Sequence, residues 1–140
     1  MLKQVSVFVE NKAGRVHAIM EVFAAAKIDV RAMTIADTAE FGIVRLIVND
    51  AEKAKAALRE NNFTAKITDV IGFTIPDEFG ALCNVVRTLG EQGVNIEYSY
   101  SLMGKNSGEA DIVIRVKDSE RAQTILAQAG VKLISPPDIA

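Results

Sequence analysis

The sequence predicts an α+β chain of two consecutive β-α-β-β-α-β units, each an antiparallel sheet with both helices on one face. Three observations lead there. Shifting the 140-residue chain by 66 positions lays Gly14 on Gly80 and brings the apolar residues around them into register. Those residues alternate in some stretches and recur at i, i+3, i+4 and i+7 in others, the marks of a half-buried strand and of a helix with one buried stripe. The same order of strand and helix signals then runs through the chain twice, the signature of an internal repeat.

The first strand of each half is read from Val5, Val7 and Val9, answered by Ile71, Phe73 and Ile75. Only alternate side chains of a strand share a face, so each trio is expected to line a core. The next helix carries Val16, Ile19, Met20 and Phe23, answered by Leu82, Val85, Val86 and Leu89, and both sets are expected to be buried. "KIDV" (27–30) and "GVNI" (93–96) mark where each helix gives way to a second strand. A hairpin loop two residues longer in the second half changes the register to 68, and Val44, Leu46 and Val48 fall on Ile112, Ile114 and Val116. "NDAEKAKAAL" (49–58) and "KDSERAQTIL" (117–126) begin the second helices. Asp50 and Asp118 are read as N-caps, with Glu52 and Glu120 at the positive end of the helix dipole. Ala54, Ala57 and Leu58 answer Ala122, Ile125 and Leu126. Weaker final strands are expected near 64–69 and 132–135.

These elements divide the chain into domains at 1–69 and 70–140. No linker of glycine, serine or proline separates them, because "TAKITDVIGFTIP" runs from the last strand of one half into the first strand of the next. Each half is near the lower size limit for a self-sufficient core, so the halves are expected to pack together. Phe8, Ile43, Ile47 and Val113 alternate away from the helix-facing sets. Apolar residues on that second face imply sheet packing within or between chains.

Composition excludes several classes. Net charge is −2, and the 16 lysines and arginines are scattered rather than clustered, which argues against nucleic acid as a partner. No apolar run approaches the ~20 residues needed to cross a bilayer. "MLKQVSVFVE" lacks the core and cleavage site of a signal peptide. The single cysteine, Cys83, excludes an internal disulfide. Together these lead to the expectation of a cytoplasmic chain, away from membranes.

No catalytic set, metal site or cofactor motif is expected. His17, the one histidine, lies beside the buried stripe and is read as a solvent-edge or interface residue. Cys83 has no cationic cluster nearby in sequence to activate it. "LMGKNSGEADI" holds Gly, Lys and Ser at the wrong spacing for a phosphate loop and fits a hairpin loop. In "NIEYSYSL", Tyr98 and Tyr100 share a face expected to lie under the helix, while Glu97, Ser99 and Ser101 point the other way.

The repeated feature with chemistry is Asn/Asp-x-x-Gly at a strand-to-helix junction: "VENKAGRVHAI" (9–19) and "IPDEFGALCNV" (75–85). Asn11 and Asp77 are read as N-caps. Gly14 and Gly80, lacking a Cβ, allow backbone or a ligand to approach the first turn. The free amides and positive dipole end of that turn suit a carboxylate, contributing roughly 0.3–1 kcal/mol. A carboxylate on the amides and an ammonium on Asn11 or Asp77 would make a site for an α-amino acid. The alternative is structural: a capped helix with a glycine for close helix–sheet packing.

Asn/Asp-x-x-Gly-x-hydrophobic, followed by an amphipathic helix, "GVNI" and a strand, resembles the ACT domain, and the whole chain is similar to a tandem ACT protein. The resemblance implies two ferredoxin-like βαββαβ units that bind small ligands, most often amino acids, between paired domains and regulate metabolic enzymes or transcription. It places one ligand loop at Asn11, Ala13, Gly14, Arg15 and Val16, and the other at Asp77, Phe79, Gly80, Ala81 and Leu82. Asn95 matches a position that reaches a ligand from the neighbouring domain, with Asp29 as its counterpart. The family often has proline before the glycine; here stand Ala13 and Phe79, and Phe79 is expected to narrow or occupy its pocket. The function implied is an amino-acid-binding regulator without enzymatic activity, forming a homo-oligomer such as a dimer and acting on a metabolic enzyme. One alternative is a regulatory subunit of a biosynthetic enzyme such as acetolactate synthase, although that family's arginine-rich run is replaced here by "AAAKIDV". Another is a purely structural oligomerisation module.

Overall fold

The computed structural model describes residues 1–38, 40–104 and 106–139. In chain order the elements are β1 (Leu2–Glu10), α1 (Arg15–Ala25), β2 (Val30–Asp37), β3 (Phe41–Val48), α2 (Ala51–Glu60), β4 (Thr64–Pro76), α3 (Ala81–Glu91), β5 (Ile96–Ser101), β6 (Glu109–Val116), α4 (Ser119–Gln128), β7 (Lys132–Ile134) and α5 (Pro136–Ile139). Contacts divide the chain into two units. One gathers Lys3–Thr68 with Ile139, the other Asp69–Asp138 with Met1–Leu2. Lys105 of the second hairpin loop lies outside the described residues.

Each unit is a ferredoxin-like βαββαβ arrangement. In the first, strands run in the order β2-β3-β1 and then the opening stretch of β4. Antiparallel pairing sets Val5 opposite Leu46 and Val7 opposite Val44, so the predicted strand faces coincide. In the second unit the order is β5-β6-β4-β7, with Ile71 opposite Ile114 and Phe73 opposite Ile112. The expected last strand of the first half and first strand of the second are one 13-residue strand, β4. Nothing in "TAKITDVIGFTIP" interrupts the extended backbone, because no glycine–proline or asparagine–glycine turn signal occurs within it.

The first core joins Val5, Val7, Val9, Val44, Leu46 and Val48 from strands to Ile19, Phe23, Ala54 and Leu58 from helices. The second joins Ile71, Phe73, Ile75, Ile112, Ile114 and Val116 to Val85, Leu89, Ala122 and Leu126. Helices and strands of each unit therefore bury one face each into a shared layer. Asp50 accepts from the Lys53 amide at 3.1 Å and Asp118 from the Arg121 amide at 3.2 Å, so both second helices have the expected side-chain caps.

Two expectations about faces need correction. On α3 the buried line is Val85 and Leu89 with Ala81 packed against it, whereas Leu82 and Val86 are 45% and 44% exposed. Each residue advances the helix by about 100°, so these two sit one step around from the core. Tyr98 and Tyr100 do not lie under the helix. A bulge between Ile96 and Tyr98 shifts the pairing, setting Ser99 against Ile114 and Ser101 against Ile112. Since the core face of β6 holds Ile112 and Ile114, the two tyrosines take the opposite face, their rings stacked at 6.5 Å. An extra residue in a strand inverts every later side chain. On the face away from the helices, Ile47 and Val113 are fully buried, but Phe8 stays 41% exposed beneath the Lys66 ammonium. That face also buries Gln4 and Ser6, which bond to each other at 3.0 Å.

Candidate functional site

The two Asn/Asp-x-x-Gly loops fold alike. In the first, the Lys12 amide bonds Glu10 O at 2.9 Å, Arg15 N reaches Lys12 O at 3.4 Å, and Ala18 N closes the first helical turn on Gly14 O at 3.0 Å. In the second, Glu78 N bonds Pro76 O at 3.0 Å, Ala81 N reaches Glu78 O at 3.3 Å, and Asn84 N closes on Gly80 O at 3.0 Å. Gly14 and Gly80 hold the N-cap position with φ of 89° and 84°. A side chain is disfavoured there by its own backbone, so the left-handed conformation explains the glycines.

This geometry overturns two expectations. Asn11 and Asp77 do not cap their helices, because glycine occupies the cap three residues later and neither α1 nor α3 has a side-chain cap bond. Asn11 instead donates its side-chain amide to Asp37 Oδ2 at 3.4 Å and Thr38 O at 3.3 Å, tying the loop to the β2–β3 hairpin. Asp77 anchors by its backbone, its amide donating to Gly108 O at 2.9 Å. Nor is either glycine a packing residue, since a Cβ at Gly14 or Gly80 would meet nothing within 4 Å. The first-turn amides of Val16 and His17, and of Leu82 and Cys83, thus donate no hydrogen bond to an N-cap side chain.

The other predicted residues are dispersed. Ala13 is exposed, and Phe79 is fully exposed, so its ring narrows no pocket within its unit. Arg15 turns its guanidinium onto the Phe63 ring, 4.9 Å from the centroid. Asp29 follows α1 at the end of the unit opposite Gly14, about 16 Å away by the rise of 11 helical residues. There its backbone exchanges bonds with Asn49 and its carboxylate meets Arg31 Nε at 3.4 Å. Asn95 likewise lies at the far end of α3, lining a cleft of about 300 Å³ with Lys117, Asp118 and Arg121. Each unit brings its loop residues together but holds Asp29 or Asn95 away from its own loop.

Larger clefts open beside the first helix of each unit. One, of about 630 Å³, is lined by Arg15, Ala18, Val22, Ala57 and Phe63 among others; the second, of about 650 Å³, includes Glu78, Ala81, Asn84, Val131 and Lys132. Phe63, Asn84 and Lys132 belong to no motif that marks a site in the sequence; the repeat register pairs Arg15 with Ala81 and Phe63 with Val131. Among the described residues no group of three or more His, Cys, Asp or Glu side chains could hold a metal ion. His17 is exposed and meets Glu21 at 2.6 Å. No helix among the described residues is long and apolar enough to cross a membrane.

The family model for an ACT domain pair matches residues 1–140. The chain belongs to the ACT domain pair family. Among solved structures, protein BT0572 from Bacteroides thetaiotaomicron is 41% identical, with a TM-score of 0.92 over 99% of this chain and 94% of that one. The regulatory subunit of aspartate kinase from Thermus thermophilus, in a ligand-free form, shares the ACT pair fold at 16% identity, with a TM-score of 0.66 and 91% of each chain covered. The corresponding subunit from Thermus flavus is 16% identical with a TM-score of 0.61, over 91% of this chain and 92% of that one. No curated protein matches this ACT pair.

Proposed function

We propose that this chain is an amino-acid-binding regulatory protein of two ACT domains, near 1–69 and 70–140, without enzymatic activity of its own. The observation that carries the reading is the pair of uncapped helix entrances, where a left-handed glycine gives the first-turn amides no side-chain acceptor and has free space beside it in both units. Such amides with the positive end of a dipole suit a carboxylate. In the first unit Asn11, Ala13, Gly14 and Val16 surround this entrance, with the Arg15 backbone between them. In the second, Asp77, Phe79, Gly80, Ala81 and Leu82 do so. The Asp77 carboxylate has no hydrogen-bond or ion-pair partner among the described residues and would hold the ammonium. Asp29 and Asn95, distant from the loops of their own units, would serve a ligand held by another ACT domain.

The protein would work in the cytoplasm as a homodimer, passing ligand occupancy to a metabolic enzyme. Calorimetric titration with the twenty amino acids, checked by thermal shift, is expected to reveal one with micromolar to millimolar affinity, about −4 to −8 kcal/mol. A flat response across the panel refutes the reading.

A second reading is a regulatory subunit of an amino-acid biosynthetic enzyme. The fold shared with aspartate kinase regulatory subunits favours it, and makes a kinase of that kind a better partner to try than acetolactate synthase. Co-purification with a catalytic subunit would support it.

A further inference from the structure

Arg15 is the first residue of α1, where the helix dipole is positive and a cation is disfavoured. Its guanidinium stacks on Phe63, its Nε is buried, and that Nε has no hydrogen-bond partner. The terminal nitrogens of the same guanidinium, which are not shut off in this way, have no hydrogen-bond or ion-pair partner among the described residues. Glu21 lines the same groove but is engaged by His17. The groove, about 630 Å³, runs between α1 and α2 along Ala18, Val22 and Ala57.

The duplicated unit supplies an internal control. At the equivalent places it has Ala81 and Val131, both packed against an intact core beside a cleft of similar size. The fold therefore does not require an arginine on an aromatic ring at this position.

We propose that the α1–α2 groove is a second binding site, separate from the glycine loops, for a small carboxylate bearing one negative charge. Arg15 holds the carboxylate through its two terminal nitrogens, the bidentate geometry that a planar guanidinium favours. Phe63, Val22 and Ala57 flank the carbon body. Glu21 and Glu60 border the groove, so a second carboxylate on the ligand meets like charge and an amine meets opposite charge.

The test is a titration of the full-length ¹⁵N-labelled protein with butyrate, 4-aminobutyrate and succinate at constant ionic strength, following the Arg15 Nε–H resonance and the backbone amides. Butyrate and 4-aminobutyrate are expected to shift Arg15 Nε–H saturably, together with the Phe63 and Ala57 amides, and succinate is expected to bind more weakly. Arg15→Met should weaken binding by about tenfold or more, the loss of a charge-assisted bond. Ala57→Phe fills the groove from α2 with the arginine intact and should do the same. The proposal is overturned if Arg15 Nε–H moves no more than that of Arg121, if binding persists in both variants, or if only loop amides respond. Amino-acid shifts at Gly80 report the loop site independently: their absence would sink the loop reading alone, and they should survive in both variants.

Discussion

Replacing Gly80 with alanine separates the two roles a glycine can have at a helix entrance. Gly80 sits at φ 84° and ψ −10°, and a Cβ built there meets no atom within 4 Å. The whole penalty is then conformational, about 1–2 kcal/mol for an L-residue in the left-handed region. Gly80→Asn should cost less, because asparagine tolerates that region better. Gly72 is the contrast: its added Cβ would lie 2.6 Å from Leu2 Cδ1 and 3.2 Å from Ile134 Cβ. The leucine tip can swing aside, but the isoleucine Cβ is fixed to its backbone, so overpacking should cost about 1–3 kcal/mol, with no relief from asparagine. Urea unfolding of the four single variants measures this, with the slope checked for constancy. On a domain the size of one unit, each kcal/mol corresponds to a fall in Tm of about 4–8 °C. Asparagine at position 80 costing as much as alanine, or either costing more than about 3 kcal/mol, would refute the assignment and return Gly80 to a packing role.

Asp50→Ala and Asp118→Ala each remove a cap bond and should cost about 1 kcal/mol by chemical denaturation; their double variant should give close to the sum, as the caps share no partner. Leu89→Ala should cost about 2–5 kcal/mol, whereas Val86→Ala on the same helix should cost much less, and equal losses in urea melts would contradict the placement of the α3 core face. Phe79→Ala should leave stability within about 0.5 kcal/mol, because the ring is fully exposed; a larger loss would show that it packs against something.

Period-two and helical patterns were legible because each unit has one buried layer, and Val5, Val7 and Val9 can face it only as a strand does. The two aspartate caps were legible because the interaction is local, three residues from side chain to amide. What escaped the sequence was set by single-residue geometry. The extra residue before Tyr98 has no distinctive letter, yet it decides which face the tyrosines take. Asn11 and Asp77 carry a cap-like spacing, but the following glycine turns left-handed and takes the cap position. Arg15 and Phe63 are 48 residues apart, and only the fold brings them together. The short α5 did leave a local signal: Ser135 stands before two prolines, and Asp138 accepts from its amide at 2.7 Å and its hydroxyl at 2.9 Å. For the loops, the sequence located both strand-to-helix turns, but misjudged which residue takes the cap position.

The 13 residues of β4 make this chain difficult to divide. The boundary between the units falls between Thr68 and Asp69, inside a strand, and the chain ends are exchanged. Leu2, at the very start, belongs with the second unit, where it faces Gly72; Ile139, near the finish, belongs with the first, where its carbonyl accepts from Arg31 Nε at 3.3 Å. A gene cut at the midpoint would yield two truncated fragments, the first without its Ile139 anchor and the second without Met1–Leu2. Although its pattern repeats, each half expressed alone would lack a contact supplied by the far end of the chain: Leu2 against Gly72 in the second unit, and the Ile139 carbonyl on Arg31 in the first.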